Sequence, residues 1–181
     1  MKEQELVTYI DPELKFVRPL MYAQERPVYQ VKKQGSFYVL KAFLVDDPWD
    51  SNHLNTERIV LERAKDLPGI TRLVHFYGII NSRIALLKEY AAGEDLARSP
   101  EYKKEAHSLA PLKKQLNDVV NALHKLGIAS LDLSARNIVI SPDEKSAKIV
   151  DLGNCVLQEN VDAKTFVLHK INDLHDLERL L

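Results

Sequence analysis

Three oxygen-bearing side chains stand at a spacing that suits chemistry on a bound cation. Asp132 and Asn137 lie five residues apart in Ser130-Leu-Asp-Leu-Ser-Ala-Arg-Asn137, and Asp151 follows the Asn by fourteen residues. Asp151 closes the apolar run Lys148-Ile-Val and precedes Leu152-Gly153. A carboxylate at a strand end followed by glycine can grip a hard cation while the backbone turns tightly. The three side chains can therefore converge on one Mg²⁺–triphosphate, and the neighbouring Arg136 can screen negative charge near a phosphate. Each piece has a simpler explanation. Asp and Asn commonly cap Asx turns, and Asp-x-Gly turns are frequent. The combination, with a hairpin between its parts, is what points to a site.

A cation completes the set. Lys41 sits in Tyr38-Val-Leu-Lys-Ala-Phe43, where apolar flanks place its stem in a sheet and its amine at a cleft. A lysine that merely snorkels to water is the alternative. Glu57 and Glu62 stand on the helix predicted next, and the simpler explanation of either is an ordinary solvated helix residue.

The elements that must position these groups follow from periodicity. Residues 1–15 are mixed and expected to be partly strand-like or mobile. Residues 28–31 and 36–44 are rich in β-branched and aromatic residues, with the turn Lys33-Gln-Gly35 between them. Residues 46–51 form a polar breaker. Residues 52–65 predict a helix stopped by Leu67-Pro-Gly69. Two apolar strands are expected over 70–80 and 82–88, a linker over 91–95, and a polar helix over 96–107. Leu112, Leu116, Val119, Val120 and Leu123 recur at helical spacing, so residues 111–126 predict a helix ended by Gly127. Short strands over 137–140 and 147–150 flank a turn. A last helix is expected over 172–181, with Leu174, Leu177, Leu180 and Leu181 on one face. That stripe would pack on residues 111–126, or receive a protein partner or a second copy. The order is that of an α+β chain with a sheet-rich half and a helical half.

Composition narrows the partners. The chain has 181 residues, 45% hydrophobic and 28% charged, with a net charge of -1. Nothing in that balance suits nucleic acid or an anionic membrane. No run of about 18 apolar residues is present to span a bilayer, and Met-Lys-Glu-Gln-Glu-Leu6 has no apolar signal core. A single cysteine, Cys155, excludes an internal disulfide. An intracellular, cytoplasmic setting is the expectation.

With these motifs, residues 16–181 resemble the protein kinase-like superfamily, as a minimal and divergent kinase or pseudokinase. The resemblance implies a bilobal α+β fold: an N-terminal extension (1–15), a β-rich N-lobe with one helix (16–90) and a truncated helical C-lobe (91–181). It implies ATP and Mg²⁺ as cofactors. Lys41 would pair with phosphates and a carboxylate on the following helix would hold Lys41, Glu57 being the first choice and Glu62 the second. Asn137 and Asp151 would be the metal ligands, Asp132 would orient the attacking hydroxyl, and backbone groups at Glu89 and Ala91 would meet the adenine edge. The acceptor would be an unidentified protein or small-molecule hydroxyl.

The departures from the family pattern are informative. The family's glycine-rich loop should fall before Val28, yet Leu20-Met-Tyr-Ala-Gln-Glu-Arg-Pro27 has no glycine. Either Gln24 and Arg26 replace its amide contacts or ATP binds weakly, and Glu25 would repel phosphate if turned inward. Ser130-Leu131 stands where His-Arg is usual. Only a short connection is expected between Gly153 and Asp173, with no Ala-Pro-Glu. A pseudokinase acting as a nucleotide-binding or inert interaction module is the alternative function. The six histidines, including His169 and His175 beside Asp173, show no zinc spacing and are expected at the surface. Cys155 is expected to be a small buried residue, although it could be reactive near the metal. Trp49 is expected to be a packing anchor.

Overall fold

The computed structural model describes residues 2–21, 24–98, 110–143 and 145–181. The chain is α+β and divides into two compact units, Met1–Arg58 with Arg72–Tyr90, and Ile59–Thr71 with Ala91–Leu181.

The first unit opens with helix α1 (Glu3–Ile10) and holds five strands: β1 (Lys15–Met21), β2 (Val28–Lys33), β3 (Ser36–Leu44), β4 (Leu73–Ile80) and β5 (Arg83–Glu89). They form one sheet in the order β1-β2-β3-β5-β4, antiparallel throughout. The β2–β3 turn uses Gln34 and Gly35 at φ 49° and 88°. Side chains alternate between sheet faces. Tyr29, Val31, Leu40, Ala42, Ala85 and Leu87 point to one face and pack with Leu6, Val7, Ile10 and Leu14. On the other face Phe43 and Ile84 meet Leu54 of helix α2 (Pro48–Arg63). The sheet is thus covered by a helix on each side.

Two expectations are corrected here. Within residues 1–15, expected to be partly strand-like or mobile, residues 3–10 are helical: Leu6, Val7 and Ile10 make a buried stripe, so the sheet carries two helices rather than one. Helix α2 begins at Pro48, inside the predicted breaker. Proline at a first helical turn loses no needed N–H, and the Asp47 carboxylate accepts the Trp49 N–H at 2.8 Å.

The second unit is helical with short strands. It contains β6 (Glu94–Asp95), α3 (Ala110–Lys125), β7 (Ile128–Ala129), β8 (Ile138–Ile140), β9 (Ala147–Ile149), β10 (Val156–Leu157) and α4 (Ala163–Leu180). The strands pair as β6-β8-β9 and β10-β7. The α3 stripe of Leu112, Leu116, Val119, Val120 and Leu123 is buried as its spacing predicts. Gly69 lies against it at φ 88°, where a Cβ would come within 2.4 Å of a Val119 methyl carbon. At Gly93, φ 131°, a Cβ would collide with the Ile140 carbonyl, so only glycine lets β6 approach β8.

The strand expected from residue 70 starts at Leu73, and Ile70 instead bridges to Ile149. The predicted linker holds β6. The predicted helix over 96–107 falls mostly outside the described residues; 96–98 are a turn. The short connection after Gly153 holds β10, and α4 starts well before residue 172. Its signal is Asp162, whose carboxylate caps the Lys164 and Thr165 N–H groups at 2.9 and 3.0 Å. Helix α4 packs on α3, with Leu177 fully buried and Lys113 paired to Glu178 at 2.8 Å. Val167, Leu168 and Ile171 of α4 are exposed. No helix among the described residues is long and apolar enough to cross a membrane.

The end of α1 is tied to the sheet by one carboxylate. Asp11 accepts from the Tyr77 hydroxyl at 2.7 Å, from Lys33 at 3.1 Å and from the Glu13 N–H at 2.9 Å. Burial alone would push the Asp11 carboxyl up, but the Tyr77 and Glu13 hydrogen bonds and Lys33 outweigh it and hold the group below its ordinary value. Burial and the same contact push the Tyr77 hydroxyl up, so it stays a donor. A lowered carboxyl contributes stability above its unfolded value of about 4, and that stability is lost as the pH falls through the folded value. Tyr77→Phe should therefore cost about 1.5 kcal/mol at neutral pH, as for a hydrogen bond to a charged group. Urea unfolding should show that penalty shrinking as Asp11 protonates in acid.

Candidate functional site

The first unit supplies the cation and its holder. Lys41 lies mid-strand in β3, opposite Val28 on β2 and Leu86 on β5. Its Nζ is 2.7 Å from Glu57 Oε2 on α2, and the pair is buried at 3% and 0% exposure. The other Glu57 oxygen accepts from Lys88 of β5, which is 2% exposed. One buried carboxylate thus meets two ammonium groups. Glu89 ends β5; its N–H donates to the Arg72 carbonyl at 2.9 Å. Ala91 follows in irregular backbone.

The glycine-free segment before β2 is pinned rather than open. The Leu44 N–H donates to the Glu25 carbonyl at 3.0 Å, and the Ala42 N–H to the Pro27 carbonyl at 3.2 Å. Arg83 donates to the Gln24 and Glu25 carbonyls at 3.3 and 3.4 Å. Arg26, expected as a stand-in for phosphate-binding amides, is turned to the start of α2. Its guanidinium lies 2.5 Å from Asp50 and 4.4 Å from the centre of the Trp49 ring. Trp49 is half-exposed and packs between Arg26 and the buried His53, whose ring centre is 4.9 Å away.

The second unit holds the oxygen set. Ser130 and Asp132 adopt φ 57° and 48°, left-handed values that cost a non-glycine residue about 1 kcal/mol each. The turn is held by Asp173 of α4, which is 3% exposed. Its carboxylate accepts the Ser130 N–H at 2.9 Å, the Leu131 N–H at 2.7 Å and a contact from His124 Nε2 at 2.9 Å. The exposed Asp132 carboxylate accepts from Asn154 Nδ2 at 2.9 Å, and Asn137 Nδ2 donates to the Asp132 carbonyl at 3.0 Å. The Val150 N–H donates to the Asn137 carbonyl at 2.9 Å, which sets Val150 across from Asn137 with Asp151 next in the chain. One Asp151 oxygen accepts the Gly153 N–H at 3.3 Å. An all-oxygen pair of amide and carboxylate is the donor chemistry that hard cations take.

Four side chains here were missed by sequence reading. Lys88 has a signal: Ile84, Leu86 and Lys88 alternate onto one buried face. Asn154 follows the Asp-x-Gly turn directly. Asp173 and His124 carry no local signal, being far in sequence from the loop they hold. His124 and His53 are both buried, which corrects the expectation of surface histidines, whereas Cys155 is buried.

The family model for the protein kinase domain matches residues 26–170, most of the chain. The protein belongs to the protein kinase domain family. No curated protein matches it.

Asp173→Asn keeps the shape but leaves one buried N–H facing an amide nitrogen instead of a carboxylate oxygen. It should lower stability by about 2 kcal/mol, read from the urea midpoint. Backbone amide exchange at Ser130 and Leu131 should quicken by more than at the β2–β3 pairs.

Proposed function

We propose that the protein is an ATP- and Mg²⁺-dependent phosphotransferase that moves a γ-phosphoryl group to a protein or small-molecule hydroxyl. The observation that carries this reading is the buried Lys41–Glu57 pair, 2.7 Å apart. Burying two opposite charges is expensive and contributes little stability relative to an apolar pair, so a functional use is its best explanation.

Lys41 binds the nucleotide's phosphates, and Glu57 aims its ammonium. Asn137 and Asp151 hold Mg²⁺: the Asn137 amide nitrogen is committed to Asp132, which turns its oxygen outward. Asp132, exposed and steadied by Asn154, accepts the hydrogen bond of the acceptor hydroxyl and orients it. Glu89 and Ala91 meet the base through backbone groups. Bound Mg²⁺ neutralises charge on the phosphates. The protein's part is positioning and electrostatics, the main source of catalysis in phosphoryl transfer.

A second reading, a nucleotide-binding or inert pseudokinase, draws on the pinned segment 24–27. Its Gln24, Glu25 and Pro27 carbonyls are already hydrogen-bonded, and Arg26 is paired with Asp50.

Thermal melting with ATP, with and without Mg²⁺, separates the two. An active site should gain about 2.7 kcal/mol at a ligand concentration a hundred times Kd, with most of the gain requiring Mg²⁺. Asp151→Ala should remove the metal-dependent part and abolish turnover. Asp132→Ala should keep nucleotide binding and slow turnover by about 10²–10⁴-fold. Absence of any metal-dependent stabilisation favours the inert scaffold, and an Asp151→Ala variant as active as wild type refutes the assignment.

A further inference from the structure

Lys88 has no part in the reading above, yet it is as deeply buried as Lys41. The register pairs Lys41 with Leu86 and Val39 with Lys88, so the two lysines sit diagonally on neighbouring strands of the same face. Glu57 reaches that face from α2 and divides its carboxylate between them, Oε2 to Lys41 and Oε1 to Lys88. An inward strand position ordinarily takes an apolar residue, because an ammonium loses its hydration there. The carboxylate is the physical reason a lysine is tolerated.

We infer that Lys88 is a positioning residue for Lys41: by occupying one oxygen of Glu57, it fixes the carboxylate plane and leaves a single oxygen to hold the nucleotide-binding lysine. The inference rests on the phosphate-binding reading of Lys41. The last torsion of a glutamate is broad, so one donor leaves the carboxylate free to rotate. Two donors from adjacent strands define its plane. Without Lys88, both oxygens can close on Lys41, hold its ammonium against α2 and compete with phosphate for it. With Lys88 in place, Glu57 offers Lys41 one oxygen rather than two, and holds its ammonium less tightly against a polyphosphate.

The test is a double-mutant cycle read by calorimetric titration of Mg²⁺–ATP, with circular dichroism as the check on folding. Lys88→Met should weaken binding about tenfold. Lys88→Arg, which keeps a cation on Glu57, should recover most of that loss. In a Glu57→Gln background, Lys88→Met should add less than about twofold, since residues acting through one contact are not additive. A residue that only fills space would not be rescued by arginine, and its effect would multiply in the Glu57→Gln background. If Lys88→Met does not fold, Lys88→Gln, which keeps an N–H donor without the charge, is titrated in its place and should weaken binding severalfold. Wild-type or tighter affinity in the folded variant, or multiplicative effects in the cycle, overturns the inference while the phosphotransferase reading stands. A wild-type protein that takes up no Mg²⁺–ATP overturns both.

Discussion

A carboxylate taken out of water must be met by donors from the protein, and each unit of this chain is arranged around one such group. Glu57 has no exposed surface and is met by Lys41 and Lys88. Asp173 is nearly as buried and is met by two backbone N–H groups and His124. An isolated buried charge would be ruinous to stability. With several donors each, these carboxylates become fixed points for the groups around them. One fixes the direction of a lysine. The other holds a left-handed turn that any non-glycine sequence would otherwise leave.

The remaining structure supplies rigidity for these anchors. Helix α1 closes the sheet face opposite Lys41, so β3 and β5 are packed on both sides where they carry the two lysines. In the second unit, Gln115 of α3 both accepts from and donates to the backbone of Ala147 on β9, at 3.1 and 3.3 Å. That contact braces the hairpin leading to Asp151. Arg63 and Glu159 form a further ion pair, and their exposed setting makes it a minor contribution beside the buried network.

The family's usual phosphate loop is the feature this chain replaces most completely. Carbonyls of residues 24, 25 and 27 are engaged by Arg83 and by β3, and Arg26 faces Asp50 and Trp49. The segment behaves as a continuation of the sheet. Charge at the first unit's site therefore comes from the strand lysines rather than from a glycine-lined nest of amides.

Local sequence determined what local physics decides. Richness in β-branched and aromatic residues marked β2 and β3, an apolar run marked β5, helical spacing marked α3, and the Asp132–Asn137–Asp151 spacing marked the oxygen set together with the family. Lys41 and Glu57 were legible through the family resemblance, since an apolar strand with one lysine can equally let that lysine snorkel to water. Where competing local signals existed, reading failed: Pro48 read as a breaker but starts α2, and Asp162 read as connection but caps α4. What only the tertiary structure decided is which distant groups satisfy the buried charges. Asp173 lies more than forty residues from the amides it holds, and no spacing rule reaches that far. Lys88 became a partner of Glu57 only when β5 paired beside β3. A residue's type states which bonds it needs, but folding alone selects the atoms that make them, because burial is a property of the assembled chain.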